Sequence, residues 1–317
     1  MPECHAIVDK NVVQAICGLD ESARLTLWNE LKLRYRIVLP WILIEEVWMN
    51  YVNPGPDDKV ERLRVVQNMI NLLANTPELW LEDEVELAFQ ELVIRKRALD
   101  AFPAVSKDTF EFMCGLSGDT PGLKQWAEQR RVQGKALQNH IRELQNSGIP
   151  PGKFNEVKTG ADILRRCVFV EFRRVFGDPT RAFECLRNVF GERFISKRQN
   201  YSKRVDRAFR RYTPKTYQRF PLTTRILWAL MFYDYAPLFH IHTPSVNRPI
   251  LKRRNQGRNY ADSRYIANAL MFDRLITRDK GMADAMSCFI EAGVWSGKVI
   301  YLPHQKKIEE QIPMLLN

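Results

Sequence analysis

Four acidic residues stand where apolar runs end, and they are the residues of this chain best suited to do chemistry. Asp9 closes His5-Ala6-Ile7-Val8-Asp9, and Glu46 ends Val38-Leu39-Pro40-Trp41-Ile42-Leu43-Ile44-Glu45-Glu46. Asp262 lies in Tyr260-Ala261-Asp262, and Asp279 follows Leu275-Ile276-Thr277-Arg278. A lone carboxylate beside an apolar run is costly to bury, so buried carboxylates are paired or hold a metal. Ligand sets made only of oxygen favour Mg²⁺ or Mn²⁺ over zinc. Two such ions about 4 Å apart activate a water and stabilise the leaving oxygen of a phosphodiester. Three or four carboxylates repel one another without a cation, so such a site is expected to be metal-dependent. Taken singly, each acid reads more simply as a helix N-cap or a surface charge. Their joint placement is what points to a site.

The elements that must position these acids follow an α/β rhythm at both ends of the chain. Residues 4–8 and Tyr35–Leu39 read as short buried strands, each followed by a helical pattern, with Pro40 opening the second helix. At the other end, Ala261–Phe272 reads as a helix, Arg274–Thr277 as a strand, Gly281–Ala292 as a helix and Lys298–Leu302 as a strand. Strand-helix alternation implies a parallel sheet, and ligands bind such sheets beyond the carboxyl ends of the strands. Asp9 and Asp279 follow strands directly. Glu46 lies a turn or two into the helix after the second strand, and Asp262 opens the helix before the Thr277 strand. Between the two ends the pattern is helical, including Val60–Ala74, Glu84–Leu99 and an apolar Ile226–Tyr235, broken at 53–58 and 147–152 by Pro and Gly. The expected architecture is one α/β domain built from residues 1–53 and 258–317, with a mostly helical, basic insertion over 54–257.

The chain has 317 residues, 45% hydrophobic and 27% charged, with a net charge of +11. That charge is uneven. Residues 151–260 hold 24 Lys and Arg against 8 Asp and Glu, a net of +16, which suits a polyanion such as RNA. The densest part, Lys197–Tyr217, carries Lys197, Arg198, Lys203, Arg204, Arg207, Arg210 and Arg211 interleaved with Tyr and Phe, and Arg253 and Arg254 follow in a polar stretch. Basic side chains would hold phosphates and a Tyr would stack on an unpaired base. A solvated helical face with its aromatics in the core is the plainer alternative. No apolar run approaches the roughly 20 residues of a membrane span, and the N-terminus has no signal-peptide pattern, so a cytoplasmic location is expected. The six cysteines form no C-x-x-C pair, which leaves zinc ribbons and thioredoxin-like redox chemistry without support. His240-Ile241-His242 lacks a neighbouring acid or Cys motif that would make it a metal pair.

The acid-bearing segments also resemble a family. Ile7-Val8-Asp9-Lys10-Asn11 is similar to the opening motif of PIN-domain nucleases. Pro40 to Val47 is similar to that family's proline-to-acid helix, Asp262 to Ala269 to its third-acid helix, and Leu275-Ile276-Thr277-Arg278-Asp279-Lys280 to its hydrophobic-hydrophobic-Thr-x-Asp signature. The resemblance covers about a third of the chain, residues 1–53 and about 258–303. It implies a metal-dependent nuclease fold with Asp9, Glu46, Asp262 and Asp279 as an acidic quartet binding Mg²⁺ or Mn²⁺. It also implies Asn11 and Thr277 as polar supports and Asp284 as an auxiliary acid. Glu45 is the fallback for Glu46, and Asp273 reads as a cap or surface charge. The separation of 216 residues from Glu46 to Asp262 departs from a compact PIN domain. The leading expectation is a ribonuclease acting on RNA, tRNA or rRNA included. Two further readings remain: a non-catalytic RNA-binding protein on the same scaffold, and a toxin or defence nuclease whose basic insertion docks an acidic protein inhibitor.

Overall fold

A computed structural model describes residues 4–52, 59–74, 79–81, 84–98, 207, 219–230 and 260–316. The strands are β1 (His5–Val8), β2 (Arg36–Leu39), β3 (Leu79–Trp80), β4 (Arg274–Thr277) and β5 (Lys298–Tyr301). The last three residues of β1, β2 and β4 are all buried, so these strands read as short continuous apolar runs instead of alternating ones. That is the pattern of parallel strands covered by helices on both faces. The sheet order is β3-β2-β1-β4-β5, and every pairing is parallel. Ile7 lies between Val38 and Leu275 across three strands.

The described helices are α1 (Lys10–Cys17), α2 (Glu21–Arg34), α3 (Trp41–Val52), α4 (Lys59–Ala74), α5 (Glu84–Phe89), α6 (Pro221–Leu230), α7 (Tyr260–Ala269), α8 (Lys280–Glu291) and α9 (Ile312–Leu316). Their starts follow from the sequence. Asp9, Asp20 and Asp279 cap α1, α2 and α8, each carboxylate accepting from the main-chain N–H three residues on, at 2.8, 2.9 and 2.8 Å. α3 begins at Trp41, one residue later than expected, because the Pro40 carbonyl accepts from Leu43 N–H at 2.9 Å and Pro40 thereby stands just outside the first turn. α8 ends on Gly293, whose φ of 67° is a left-handed conformation that glycine adopts without steric cost. The Gly293 and Val294 N–H groups close the helix on the Ile290 and Phe289 carbonyls.

The body reaches further into the chain than the 1–53 and 258–317 boundaries expected. Leu79–Trp80 forms the edge strand beside β2, α4 packs on α1 and α3, and α6 packs on α7 and α5. A two-residue strand has no periodicity to detect in sequence. The edge of β2 supplies the pairing, and Leu81 N–H continues it to the Leu39 carbonyl at 3.0 Å. α6 covers part of the expected Ile226–Tyr235 core helix and buries Leu222, Ile226 and Ala229. Its first turn is capped from afar. Glu91, fully buried in a π-helical turn (Gln90–Arg95), accepts from Leu222 N–H at 3.1 Å, Thr223 N–H at 2.8 Å and the Thr223 hydroxyl at 2.7 Å. Burial raises the Glu91 carboxyl above the ordinary range, and these three donors and the Arg225 charge oppose the rise.

Among the described residues no helix is long and apolar enough to cross a membrane. Cys4, Cys17 and Cys288 are free thiols, and burial pushes Cys17 up to about 12.

Candidate active site

The strand order reverses at β1 and β4, and both strands end in the candidate residues. From β1 the chain steps outward to β2 and β3 on one side, then returns to place β4 and β5 on the other. In open α/β sheets the ligand crevice lies at this point, outside the carboxyl ends of the strands. Asp9 follows β1 directly, and its N–H donates to the Ile276 carbonyl of β4 at 3.1 Å. The Asp9 side chain is 1% exposed. One of its oxygens, Oδ1, caps α1. The other, Oδ2, accepts from the Thr277 hydroxyl and from Arg278 N–H, the latter at 3.2 Å. Three of about four acceptor positions on a carboxylate are thereby used. Burial pushes Asp9 up to about 6. The Thr277, Val12 and Arg278 donors oppose that rise, and the charge of Glu46 adds to it. A carboxylate perturbed in this way, at the strand-order reversal and within the field of a second carboxylate, marks a functional-site candidate.

Thr277 joins the two strand ends. Its hydroxyl donates to Asp9 and accepts from Asp279 N–H at 2.9 Å. Asp279 then caps α8, half-buried at the same edge. At the opposite, amino edge, Asp273 is exposed and accepts from His5 N–H at 2.9 Å, a surface tie as expected.

The two adjacent glutamates of α3 diverge. Glu46 is half-buried, and its Oε1 lies 3.5 Å from Lys10 Nζ. Its charge acts on Asp9 and on Tyr265. Glu45 is 2% exposed and points elsewhere. It accepts from Trp41 Nε1 at 2.9 Å and pairs with Arg264 of α7. Arg264 also pairs with Glu84 of α5, and all three members of the triad are buried. The triad ties α3 to α7 and thereby sets the helix carrying Glu46 beside the helix carrying Asp262.

Asp262 is half-buried in the first turn of α7. Tyr265, one turn on, is on the same helical face. It is buried, and its hydroxyl forms no well-aligned hydrogen bond. The carboxylates of Glu46 and Asp9 and the main chain of Lys10 are its polar neighbours. Burial first, then those two charges, holds the Tyr265 phenol well above its ordinary range. Asn11 is half-buried in α1, and Asp284 is half-buried in the second turn of α8.

The charge of Glu46 thus acts on Asp9, Asp279 is linked to Asp9 through Thr277, and Asp262 lies in the first turn of the neighbouring helix α7. Among the described residues no three His, Cys, Asp or Glu side chains stand close enough to share one ion. The donor chemistry nonetheless fits a hard cation: the groups are carboxylate oxygens, and the buried Asp9 is disfavoured as an anion by its surroundings. A cation there would reverse that penalty.

Arg207 is helical and exposed. Lys197, Arg198, Lys203, Arg204, Arg210, Arg211, Arg253 and Arg254 lie outside the described residues, as do His240 and His242.

Sequence reasoning missed three residues of the cleft. Lys10 is a cation at the first position of a helix, where the dipole disfavours it, and that is a readable signal. Tyr265 is three residues from Asp262, a spacing that puts both on one face. Arg278 offered no signal. It is buried, and its guanidinium donates to the Pro303, His304 and Lys306 carbonyls at 3.2, 3.2 and 2.8 Å, which pins the segment after β5 beside the site. No known protein family, curated protein or solved structure matches this chain.

Proposed function

We propose that this protein is a metal-dependent ribonuclease with a PIN-like catalytic domain, hydrolysing RNA phosphodiester bonds at the carboxyl edge of its sheet. The reading is carried by Asp9, a buried carboxylate at the strand-order reversal, raised to about 6 and sharing its cleft with Glu46. A structural N-cap has no need of burial or of a second acid, whereas a cation ligand benefits from both.

Asp9 and Glu46, joined by Asp262 and Asp279, would hold Mg²⁺ or Mn²⁺. When bound, the ion supplies a water of lowered pKa and charge stabilisation for the leaving oxygen. The protein's own part is positioning. The Val12 and Arg278 N–H groups and the Thr277 hydroxyl fix the orientation of the Asp9 carboxylate. The Tyr265 phenol keeps its proton and faces Glu46, so it can donate without adding negative charge. The net +16 of residues 151–260 supplies phosphate contacts for RNA, with tRNA and rRNA among the candidate substrates and the cytoplasm as the setting.

The test is labelled RNA incubated with purified protein in Mg²⁺ or Mn²⁺, beside Asp9→Asn and Asp279→Asn. Cleavage by the wild type that both variants lose is the expected result. Equal behaviour of all three overturns the assignment. Salt-sensitive RNA binding without cleavage, unchanged by Asp9→Asn, identifies a non-catalytic RNA-binding protein.

A further inference from the structure

Lys10 is electrostatically misplaced for its helix. It occupies the first position of α1, where the N–H groups carry the positive end of the helix dipole, and the first turn of α1 holds no acid. Its stabilising partner comes from another element. Lys10 Nζ lies 3.5 Å from Glu46 Oε1, and the two side chains are only 19% and 22% exposed. An ammonium withdrawn this far from water is held by its charged surroundings. The same carboxylate has a second neighbour: the Tyr265 hydroxyl, 1% exposed, lies beside Glu46 and Asp9.

We infer that Lys10 is a tethered counter-cation of the Asp9–Glu46 pair, seated on Glu46 in competition with the divalent ion. This rests on the metal-dependent reading above and extends it to a residue that sets the strength of metal binding. The ammonium and a divalent ion are like charges that claim the same carboxylate. Separated by about 5–6 Å, they repel enough to weaken metal binding roughly tenfold even at the dielectric of water. An arriving ion therefore displaces the ammonium. The flexible four-carbon stem lets it swing away from Glu46 toward solvent. The device keeps two carboxylates tolerable in one cleft and makes occupancy depend on the supply of divalent ion.

The experiment is a Mn²⁺ titration of the full chain, following the paramagnetic resonance of free Mn²⁺. The proteins compared are wild type, Lys10→Gln, Lys10→Arg and Asp9→Asn, with Lys10→Met as a second neutral variant that retains the aliphatic stem. Mn²⁺ binding roughly tenfold tighter in Lys10→Gln and Lys10→Met, unchanged in Lys10→Arg and lost in Asp9→Asn, is the expected pattern. Unchanged affinity in both neutral variants, with Asp9→Asn still losing the ion, overturns the role of Lys10 and leaves the metal site standing. Binding no better in wild type and the neutral variants than in Asp9→Asn overturns the metal site and this inference together.

Discussion

Glu45 and Glu46 are consecutive on one helix and show how differently one chain treats a carboxylate. Glu45 is 2% exposed and locked to Arg264, which also holds Glu84. Glu46 keeps some contact with water, meets one flexible lysine, and faces a second carboxylate and a phenol. The first arrangement spends a guanidinium on fixing two helices. The second sets Glu46 against one flexible lysine near the strand-order reversal. Burial alone does not distinguish Asp9 from Glu45; the kind of charge compensation does, neutral donors for Asp9 and a guanidinium for Glu45.

The sharpest way to break this contrast is to remove the compensation from the structural side. Arg264→Met leaves Glu45 and Glu84 buried without their cation, and truncating one partner of a buried ion pair costs about 3–5 kcal/mol. Urea unfolding with chelator present measures it. A loss below about 1 kcal/mol would mean that water reaches the triad and that the two glutamates are not treated differently after all.

At Asp9 the same operation should cost less. Asp9→Asn removes a buried charge that the fold disfavours but replaces one of two accepting oxygens with an NH2 donor, so the opposed effects should leave the chelated variant within about 2 kcal/mol of wild-type stability at pH 7. Its pH dependence has a definite sign. The Asp9 pKa rises from 3.8 to about 6 on folding. Between those values the folded state binds more protons than the unfolded one, so stability falls as pH climbs through the window. Two units correspond to roughly 3 kcal/mol as an upper figure. Other carboxylates also titrate there, so the quantity to read is wild type minus Asp9→Asn from pH 4 to 7. That difference should shift against the wild type as pH rises, and a flat difference contradicts the burial of Asp9.

Glu91 is an intermediate case that sharpens the rule. It is as buried as Glu45 but compensated by the amino end of α6 and by Thr223, not by a direct ion pair. Glu91→Ala removes a cap and strands buried donors, a loss of about 2 kcal/mol. Thermal unfolding followed by circular dichroism checks it, and an effect near zero would place Glu91 with the acids held for a ligand.

The fold was legible where apolar runs are long enough to carry a pattern. β1, β2, β4 and β5 were each expected within about a residue, because a buried parallel strand is a compact hydrophobic block. Leu79–Trp80 was not, since two residues carry no period and their pairing is decided by the edge of β2. The preference for Glu46 over Glu45 came from local register, and Glu45 turns out to be tied to Arg264. What no local pattern could supply was the partner of Glu45, which stands 219 positions away. The Arg278 contacts and the remote cap from Glu91 escaped for the same reason: their meaning lies in tertiary neighbours, not in spacing.

The most direct test of the central claim is anomalous scattering from crystals grown with Mn²⁺. A peak at coordination distance from both Asp9 and Glu46, with Asp279 or Asp262 completing the shell directly or through water, is the predicted result. Anomalous density confined to other sites, with Lys10 still seated on Glu46 at saturating Mn²⁺, would contradict it.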